Sequence, residues 1–423
     1  MSRRLTLLAI GILVAAPTAQ AAVVQDDATV AGIAQVSQSF DTLVWDYNVD
    51  GIPDFLYSPQ NAPLDAGRQL WQGNADGTFS LVTNLVGGFT TDQHGCTSGD
   101  YDGNGLPDAY CVLGGHYGTR TKTNDLFLQT APGVFVDDTT SGAEDPLGRS
   151  YSATTLDANG DGLPDLFVDN KHPRPDGQPS PNRLFLNLGT DPLTGAWLGF
   201  ADDPASGVEL EEGRRGCDLT TDFNYDGRDD IVLCGTGTLR FYQNNGDGTF
   251  TDVHSTLLGG DFLVADANLI DINNDGLLDL VFVKLSRSAI RFGQTDGTFA
   301  PARQFKPLTA GRALEVSDVN GDGHPDLYLL QGNGPPGCPI IDCPINYPDS
   351  LYINNGFGKY ITPIPVPETE GSGDTVNAIG SRLIVGNGAN LTAGPLQLIA
   401  LAPQPAGSGP AEGIGNARPN ARR

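Results

Sequence analysis

The chain is poor in positive charge: 24 Lys and Arg stand against 51 Asp and Glu, for a net charge of −27. So acidic a chain offers no footprint for a phosphate backbone, which excludes non-specific nucleic-acid binding. Long apolar runs are also missing. Past Leu5 to Ala16, no stretch approaches the roughly 20 apolar residues that a spanning helix needs, so no membrane span is expected. The usual catalytic signatures are absent: no Gly-x-Ser-x-Gly elbow, no His-Glu-x-x-His and no phosphate-binding glycine loop. Trp45, Trp71 and Trp197 are the only tryptophans, too few for a clustered sugar platform.

What the chain does have is acid in a fixed pattern. Asp157-Ala158-Asn159-Gly160-Asp161-Gly162-Leu163-Pro164-Asp165 places side-chain oxygens at positions 1, 3, 5 and 9 and a glycine at 6. Five further copies recur. The oxygen sets are Asp46, Asn48, Asp50 and Asp54; Asp100, Asp102, Asn104 and Asp108; Asp157, Asn159, Asp161 and Asp165. They continue with Asp222, Asn224, Asp226 and Asp230; Asp271, Asn273, Asp275 and Asp279; Asp318, Asn320, Asp322 and Asp326. These loops hold eighteen of the 51 acidic side chains, so much of the acidity is site chemistry.

A hard cation explains the pattern. Ca²⁺ takes about 6–8 oxygens at roughly 2.3–2.6 Å, and alternate residues of a tight loop turn their oxygens to one centre. The carbonyl of position 7, such as Leu163, is a further candidate ligand. Mg²⁺ suits the loops less, because it wants a rigid octahedron and keeps its waters. About six Ca²⁺ per chain are expected. An EF-hand needs a bidentate Glu at position 12 between two helices. Position 12 here is Tyr57, Cys111, Val168, Leu233, Phe282 and Leu329. The residues after position 9, such as Leu280-Val281-Phe282-Val283, are β-branched and aromatic and read as a strand. The loop therefore joins two strands of a hairpin.

With these loops the chain resembles the FG-GAP/VCBS repeat family, to which the integrin α-subunit head is related, over about residues 40–360. The resemblance implies an all-β fold, a β-propeller with Ca²⁺ in the first hairpin of a blade. Loop starts lie 54, 57, 65, 49 and 47 residues apart, room for four short strands per unit. Strand three is exemplified by Arg183 to Asn187 and Leu239 to Tyr242. Asp-Gly-Thr-Phe turns ending at Phe79, Phe250 and Phe299 open strand four. Seven blades are expected. Residues 374–402, with strands at Ala378 to Val385 and Leu396 to Leu401, form an incomplete seventh blade closed by a strand at Ala22 to Val30. The alternative is six blades with a C-terminal appendage. Residues 22–402 then make one repeat domain, and the Pro/Gly/Ala-rich residues 403–423 a disordered tail.

Export is expected from the N-terminus. Arg3-Arg4, the apolar run and Ala19-Gln20-Ala21 have the layout of a signal peptide cleaved after Ala21. The mature chain is then periplasmic, secreted or at the cell surface, and a monomer is expected. Six cysteines agree with export. Cys96 and Cys111 lie at offsets −4 and +11 from the second loop's first Asp; Cys217 and Cys234 lie at −5 and +12 from the fourth's. Both pairs sum to +7, so both pair across one hairpin register. Cys338 and Cys343 supply a third expected disulfide.

The metal loops read as structural, because protein oxygens leave little room for a substrate. Function is then expected on the other face, where strands two to three and four to one connect. Its long loops carry His116, Tyr117, Arg120, Lys122, Arg149, Lys171, His172 and Arg174, and His94 falls there too. These residues are expected to make a recognition surface for a carbohydrate, including an anionic one, or an extracellular protein. The competing class is a polysaccharide lyase, with its base drawn from Lys171, His172 or Tyr117. Without a catalytic motif, a binding, adhesion or scaffold module is the preferred reading.

Overall fold

The computed structural model describes residues 38–60, 69–76, 78–82, 93–113, 123–146, 148–170, 180–208, 217–234, 239–260, 264–284, 287–304, 311–317, 323–331, 350–352, 354, 364–365, 373–379, 382–387 and 397–400. The fold is an all-β propeller of antiparallel sheets. The first blade holds β1 (Gln38–Trp45), β2 (Asp54–Gln60), β3 (Gln69–Gly73) and β4 (Phe79–Val82). The second holds β5 (Gln93–Gly99), β6 (Asp108–Leu113), β7 (Asp125–Ala131) and β8 (Val134–Asp138). The third holds β9 (Ser150–Leu156), β10 (Asp165–Asn170), β11 (Arg183–Asn187) and β12 (Phe200–Asp202). The fourth holds β13 (Cys217–Thr221), β14 (Asp230–Cys234), β15 (Arg240–Asn244) and β16 (Phe250–Asp252), followed by a one-turn helix α1 (His254–Leu258). The fifth holds β17 (Asp266–Ile270), β18 (Asp279–Lys284), β19 (Arg287–Arg291) and β20 (Arg303–Gln304).

Two further sheets follow. One is four-stranded: β21 (Gly311–Ser317), β22 (Asp326–Gln331), β23 (Ser350–Tyr352) and β24 (Ile364–Pro365). The last has three strands: β25 (Gly373–Ile379), β26 (Arg382–Asn387) and β27 (Gln397–Ala400). First strands neighbour one another in chain order, and β25 also lies beside β1.

The expectation of seven blades, six with acidic hairpins and an incomplete seventh, needs correcting to five, β1–β4 through β17–β20. The sixth sheet closes on the two-residue β24, and the seventh sheet lacks a fourth strand among the described residues. For the last sheet the physical reason is visible in the sequence: no acidic hairpin loop lies within residues 373–400 to repeat the blade plan. The closing strand expected at Ala22–Val30 lies outside the described residues, as do the expected signal peptide and tail. The stretch from Ala378 to Val385 is not one strand, since Ile379 ends β25 and pairs with Arg382 at the start of β26. Phe299 does not open a strand either. It makes an isolated bridge with Gly293, and β20 starts later.

Burial explains why the residues directly after the position-9 Asp of strand two are apolar. In β14, Ile231 and Leu233 pack with Leu156, Phe167 and Leu184 of the third blade. Their neighbours Val232 and Cys234 pack with Ala267, Leu280 and Phe282 of the fifth. Side chains alternate faces along a strand, and each sheet is covered on both sides by neighbouring blades. Full burial of such a side chain contributes roughly 1.5–3 kcal/mol. The same sandwiching buries Tyr101, Tyr110 and Phe185 between the second and third blades.

The cysteine register is as the offsets predict. Cys96 and Cys111 are direct partners and form a disulfide, with Cα atoms 4.1 Å apart. Cys217 is the register partner of Cys234, and Cys234 is disulfide-bonded. Cys338 and Cys343 lie outside the described residues. Replacing Cys96 and Cys111 together by serine is expected to cost about 3 kcal/mol, from the closed loop alone. Urea unfolding of the double variant against the parent checks this.

Candidate metal centres and the opposite face

Each loop is built by the strands it joins. Strand one delivers position 1 and strand two begins at position 9, so register fixes both ends before any side chain contributes. The loop backbone itself turns through left-handed residues at position 4 (Val49, Gly103, Gly160, Tyr225 and Asn274) and again at the position-6 glycine. Glycine adopts that region without a side-chain penalty, which is why position 6 is invariably Gly51, Gly105, Gly162, Gly227, Gly276 or Gly323.

The position-9 carboxylate is the anchor. Asp54, Asp108, Asp165, Asp230, Asp279 and Asp326 are fully buried. Asp108 accepts the backbone N–H of Tyr101 at 2.9 Å and that of Gln129 at 2.7 Å. Asp165 accepts from Ala158 at 2.9 Å and Asn187 at 2.7 Å. The same pair of bonds, one from position 2 and one from the end of strand three, recurs at Asp54, Asp230 and Asp279. Burial pushes Asp54, Asp108, Asp165, Asp230 and Asp279 up to about 7; the backbone donors oppose it and neighbouring carboxylates reinforce it.

The exposed half of the loop is ordered by its own backbone. In the third loop Asp157 accepts the N–H groups of Gly160, Asp161 and Gly162 at 2.8, 3.1 and 2.9 Å. Asn159 donates to Asp161 at 3.0 Å, and the equivalent bond occurs in the first, fourth and fifth loops. The second loop differs because Asp102 and Asn104 exchange the usual acid and amide. There Asp100, Asp102 and Asp108 each present an oxygen within 4.8 Å of the others, the one such acidic group found among the described residues. Asp100 Oδ1 is buried and has no hydrogen-bond partner. A carboxylate with one orphaned oxygen, grouped with two more carboxylates, fits a hard cation: the donors are all oxygens, and the desolvated charge otherwise lacks compensation. The fourth loop departs in the other direction. Arg228 at position 7 forms an ion pair with Asp226 and donates to the Asn244 carbonyl at 3.0 Å. Asp318, Asn320 and Asp322 of the sixth loop lie outside the described residues.

Sequence reasoning missed the residue that ends strand three. Asn187, Asn244 and Asn354 are buried there. Asn187 donates to the Pro164 carbonyl of its own loop at 3.2 Å and to the Tyr101 carbonyl of the preceding blade at 2.8 Å. Its oxygen accepts from Gly189 and from Trp197 Nε1. The signal was present as Asn before the tight turn, three residues after an Arg-Leu or Arg-Phe pair, but its partners lie in another repeat.

On the opposite face, His116, Tyr117, Arg120, Lys122, Lys171, His172 and Arg174 lie outside the described residues. Arg149 is described; its backbone N–H donates to Ser180 Oγ at 3.2 Å. His94 is not on an exposed loop. It is buried on β5, 4.9 Å from the Tyr151 ring on β9, because strand one starts deeper than the sequence suggests. Near the ends of β6 and β10 lies a set of buried polar side chains. Asn124 donates to Tyr110 Oη at 2.8 Å and Ser150 Oγ at 3.1 Å, and Tyr110 donates to the Ala143 carbonyl. Asn170 donates to Asp145 and to the Pro181 carbonyl, each at 2.8 Å. These bonds clamp the roots of the loops after β6 and β10. No helix among the described residues is long and apolar enough to cross a membrane.

A family model for an FG-GAP-like repeat matches residues 46–111, 222–282 and 271–329. No curated protein matches the sequence. Among solved structures, BBS1N in complex with ARL6DN is 12% identical, covering 90% of this chain and 97% of that one with a TM-score of 0.50. A lectin from Agrocybe aegerita that recognises non-reducing terminal N-acetylglucosamine is 15% identical over 78% of this chain and 81% of that one, TM-score 0.48. The exotype rhamnogalacturonan lyase YesX is 12% identical over 87% and 75%, TM-score 0.43. These likenesses concern the fold.

Proposed function

We propose that this β-propeller, in which an FG-GAP-like repeat is matched at residues 46–111, 222–282 and 271–329, is an exported, calcium-dependent recognition module. Calcium is held by the acidic hairpins on one face, and a carbohydrate or extracellular protein is bound on the other. The observation that carries the calcium reading is the buried, unpartnered Asp100 Oδ1 in a cluster with Asp102 and Asp108. Calcium would be taken by the three carboxylates and one Asn oxygen at positions 1, 3, 5 and 9 and by a position-7 carbonyl. When bound it supplies charge compensation and a cross-link between the two strands of each hairpin.

The recognition reading is supported by the division of labour between faces. The metal loops are short and bonded to themselves. The opposite loops are long, and their roots are clamped by Asn124, Ser150 and Asn170. Variable loops on a rigid scaffold are the usual place for a binding surface. Lys171, Arg120 and Arg149 would meet an anionic group, in a chain otherwise acidic. The disulfide of Cys96 and Cys111 accords with an oxidising compartment.

The test is a glycan array and an envelope-protein pull-down with the mature chain, in calcium and in EGTA. Arg120→Glu with Lys171→Glu is expected to weaken the captured ligand by about tenfold or more, since each reversal turns attraction into repulsion. Unchanged binding by the double variant would remove this face from the proposal.

A further inference from the structure

Neighbouring metal loops are joined by a hydrogen-bonded line that runs between their anchoring carboxylates. Asp108 of the second loop accepts from the Tyr101 N–H, and the Tyr101 carbonyl accepts from Asn187 Nδ2 at 2.8 Å. The Asn187 N–H then donates to Asp165 of the third loop at 2.7 Å. Asp165 accepts from the Ala158 N–H, in the same peptide unit whose Asp157 carbonyl faces Asn244 Nδ2 at 3.4 Å. The Asn244 N–H donates to Asp230 of the fourth loop at 2.8 Å. Both asparagines are buried, so neither bond is shared with solvent. Asn354 repeats the arrangement, bonding the Ile272 carbonyl at 2.8 Å and, through its N–H, Asp326 at 2.7 Å.

The line is interrupted elsewhere. At the strand-three end of the fifth blade stands Gly293, where a Cβ would lie 2.4 Å from the Leu278 carbonyl oxygen. Gly73 holds that place in the first blade, with a Cβ 2.3 Å from the Pro53 oxygen. Gln129 fills it in the second blade, but its amide bonds Pro107 and Gly133 of its own blade. Between the fourth and fifth loops the contact is Tyr225 Oη accepting from Leu278 N–H, which bypasses the anchoring carboxylates.

We propose that the second, third and fourth loops bind calcium as one coupled set, with Asn187 and Asn244 as the positioning residues that join them. The inference rests on the calcium reading above. A cation that fixes one anchoring carboxylate orders the peptide that the next blade's asparagine holds, so the neighbouring loop has less to order when it binds. The set ends at the fifth loop because glycine replaces asparagine there.

Hydrogen exchange of the full mature chain in saturating calcium tests this, with Asp222→Asn/Asp226→Asn used to disable the fourth site. Exchange is expected to rise by about fivefold or more in peptides covering 157–165, with a smaller rise at 100–108 and little change at 271–279. Adding Asn244→Ala should leave 157–165 insensitive to the loss of the fourth site. Should that variant not fold, Asn187→Ala should let the effect reach 157–165 and stop before 100–108. A response confined to 222–230, or spread equally into 271–279, overturns the coupling. Native mass spectrometry of the parent chain separates the two claims: no bound calcium overturns the calcium reading and the coupling together, whereas bound calcium with a confined response overturns the coupling alone.

Discussion

Excess EGTA is expected to lower the Tm of the mature chain by about 10 °C or more. One site at a hundredfold excess over its Kd contributes about 2.7 kcal/mol, and several sites contribute additively when independent. A shift of roughly 2 °C per kcal/mol is the lower end for domains of up to about 250 residues, and a longer chain shifts less. The effect falls on the hairpins because their anchoring carboxylates are fully buried. Without a dication, the three carboxylates of each loop, at positions 1, 5 and 9 or, in the second loop, 1, 3 and 9, repel one another inside one turn. Scanning calorimetry in calcium, in EGTA and after calcium is restored measures the shift. Identical melting in all three would show that the loops hold themselves.

The pH dependence should change sign with calcium. In the metal-free chain, burial raises Asp54, Asp108, Asp165, Asp230 and Asp279 from 3.8 to about 7. The folded state then binds protons that the unfolded state has released. The stability from these groups is complete below pH 3.8 and is lost as pH rises through about 7. The EGTA-treated chain should therefore melt higher at pH 5 than at pH 8. Calcium needs the ionised carboxylate and holds it so. The calcium-loaded chain should accordingly melt lower at pH 5, where protons compete, than at pH 8. Melting curves at both pH values with and without calcium check the crossing; parallel trends would contradict the assignment of these five carboxylates as ligands.

Much of the fold was legible because it is written locally and repeatedly. Position 1 and position 9 fix where strand one ends and strand two begins, and β10 starts at Asp165 as the spacing requires. The cysteine offsets gave the hairpin register, since index sums are constant across an antiparallel pair; Cys96 faces Cys111 and Cys217 faces Cys234. Phe79 and Phe250 open their strands, each after a turn that an Asp caps through Thr78 or Thr249; Asp296 caps the third turn in the same way, but Phe299 makes only an isolated bridge.

What was not legible depends on other repeats. Asn187 reads as one more polar residue before a turn until Tyr101, 86 positions away, is brought against it. The helix α1 was missed because His254-Ser255-Thr256-Leu257-Leu258 is short and has no side-chain cap; Leu258 holds it by packing into the core between the fourth and fifth blades. Arg228 reads as an ordinary position-7 side chain, and only the fold shows it paired with Asp226. Ala378 to Val385 reads as one strand in the sequence because apolar residues flank Gly380-Ser381 on both sides, whereas Ile379 pairs with Arg382 across a hairpin.

The central claim is that these hairpins are metal sites, and counting the metal tests it most directly. The mature chain is equilibrated with calcium, freed of unbound ion by gel filtration and assayed by inductively coupled plasma mass spectrometry against protein concentration. About six calcium ions per chain are expected, one for each acidic loop. A value near zero, with the chain still folded, would contradict the account.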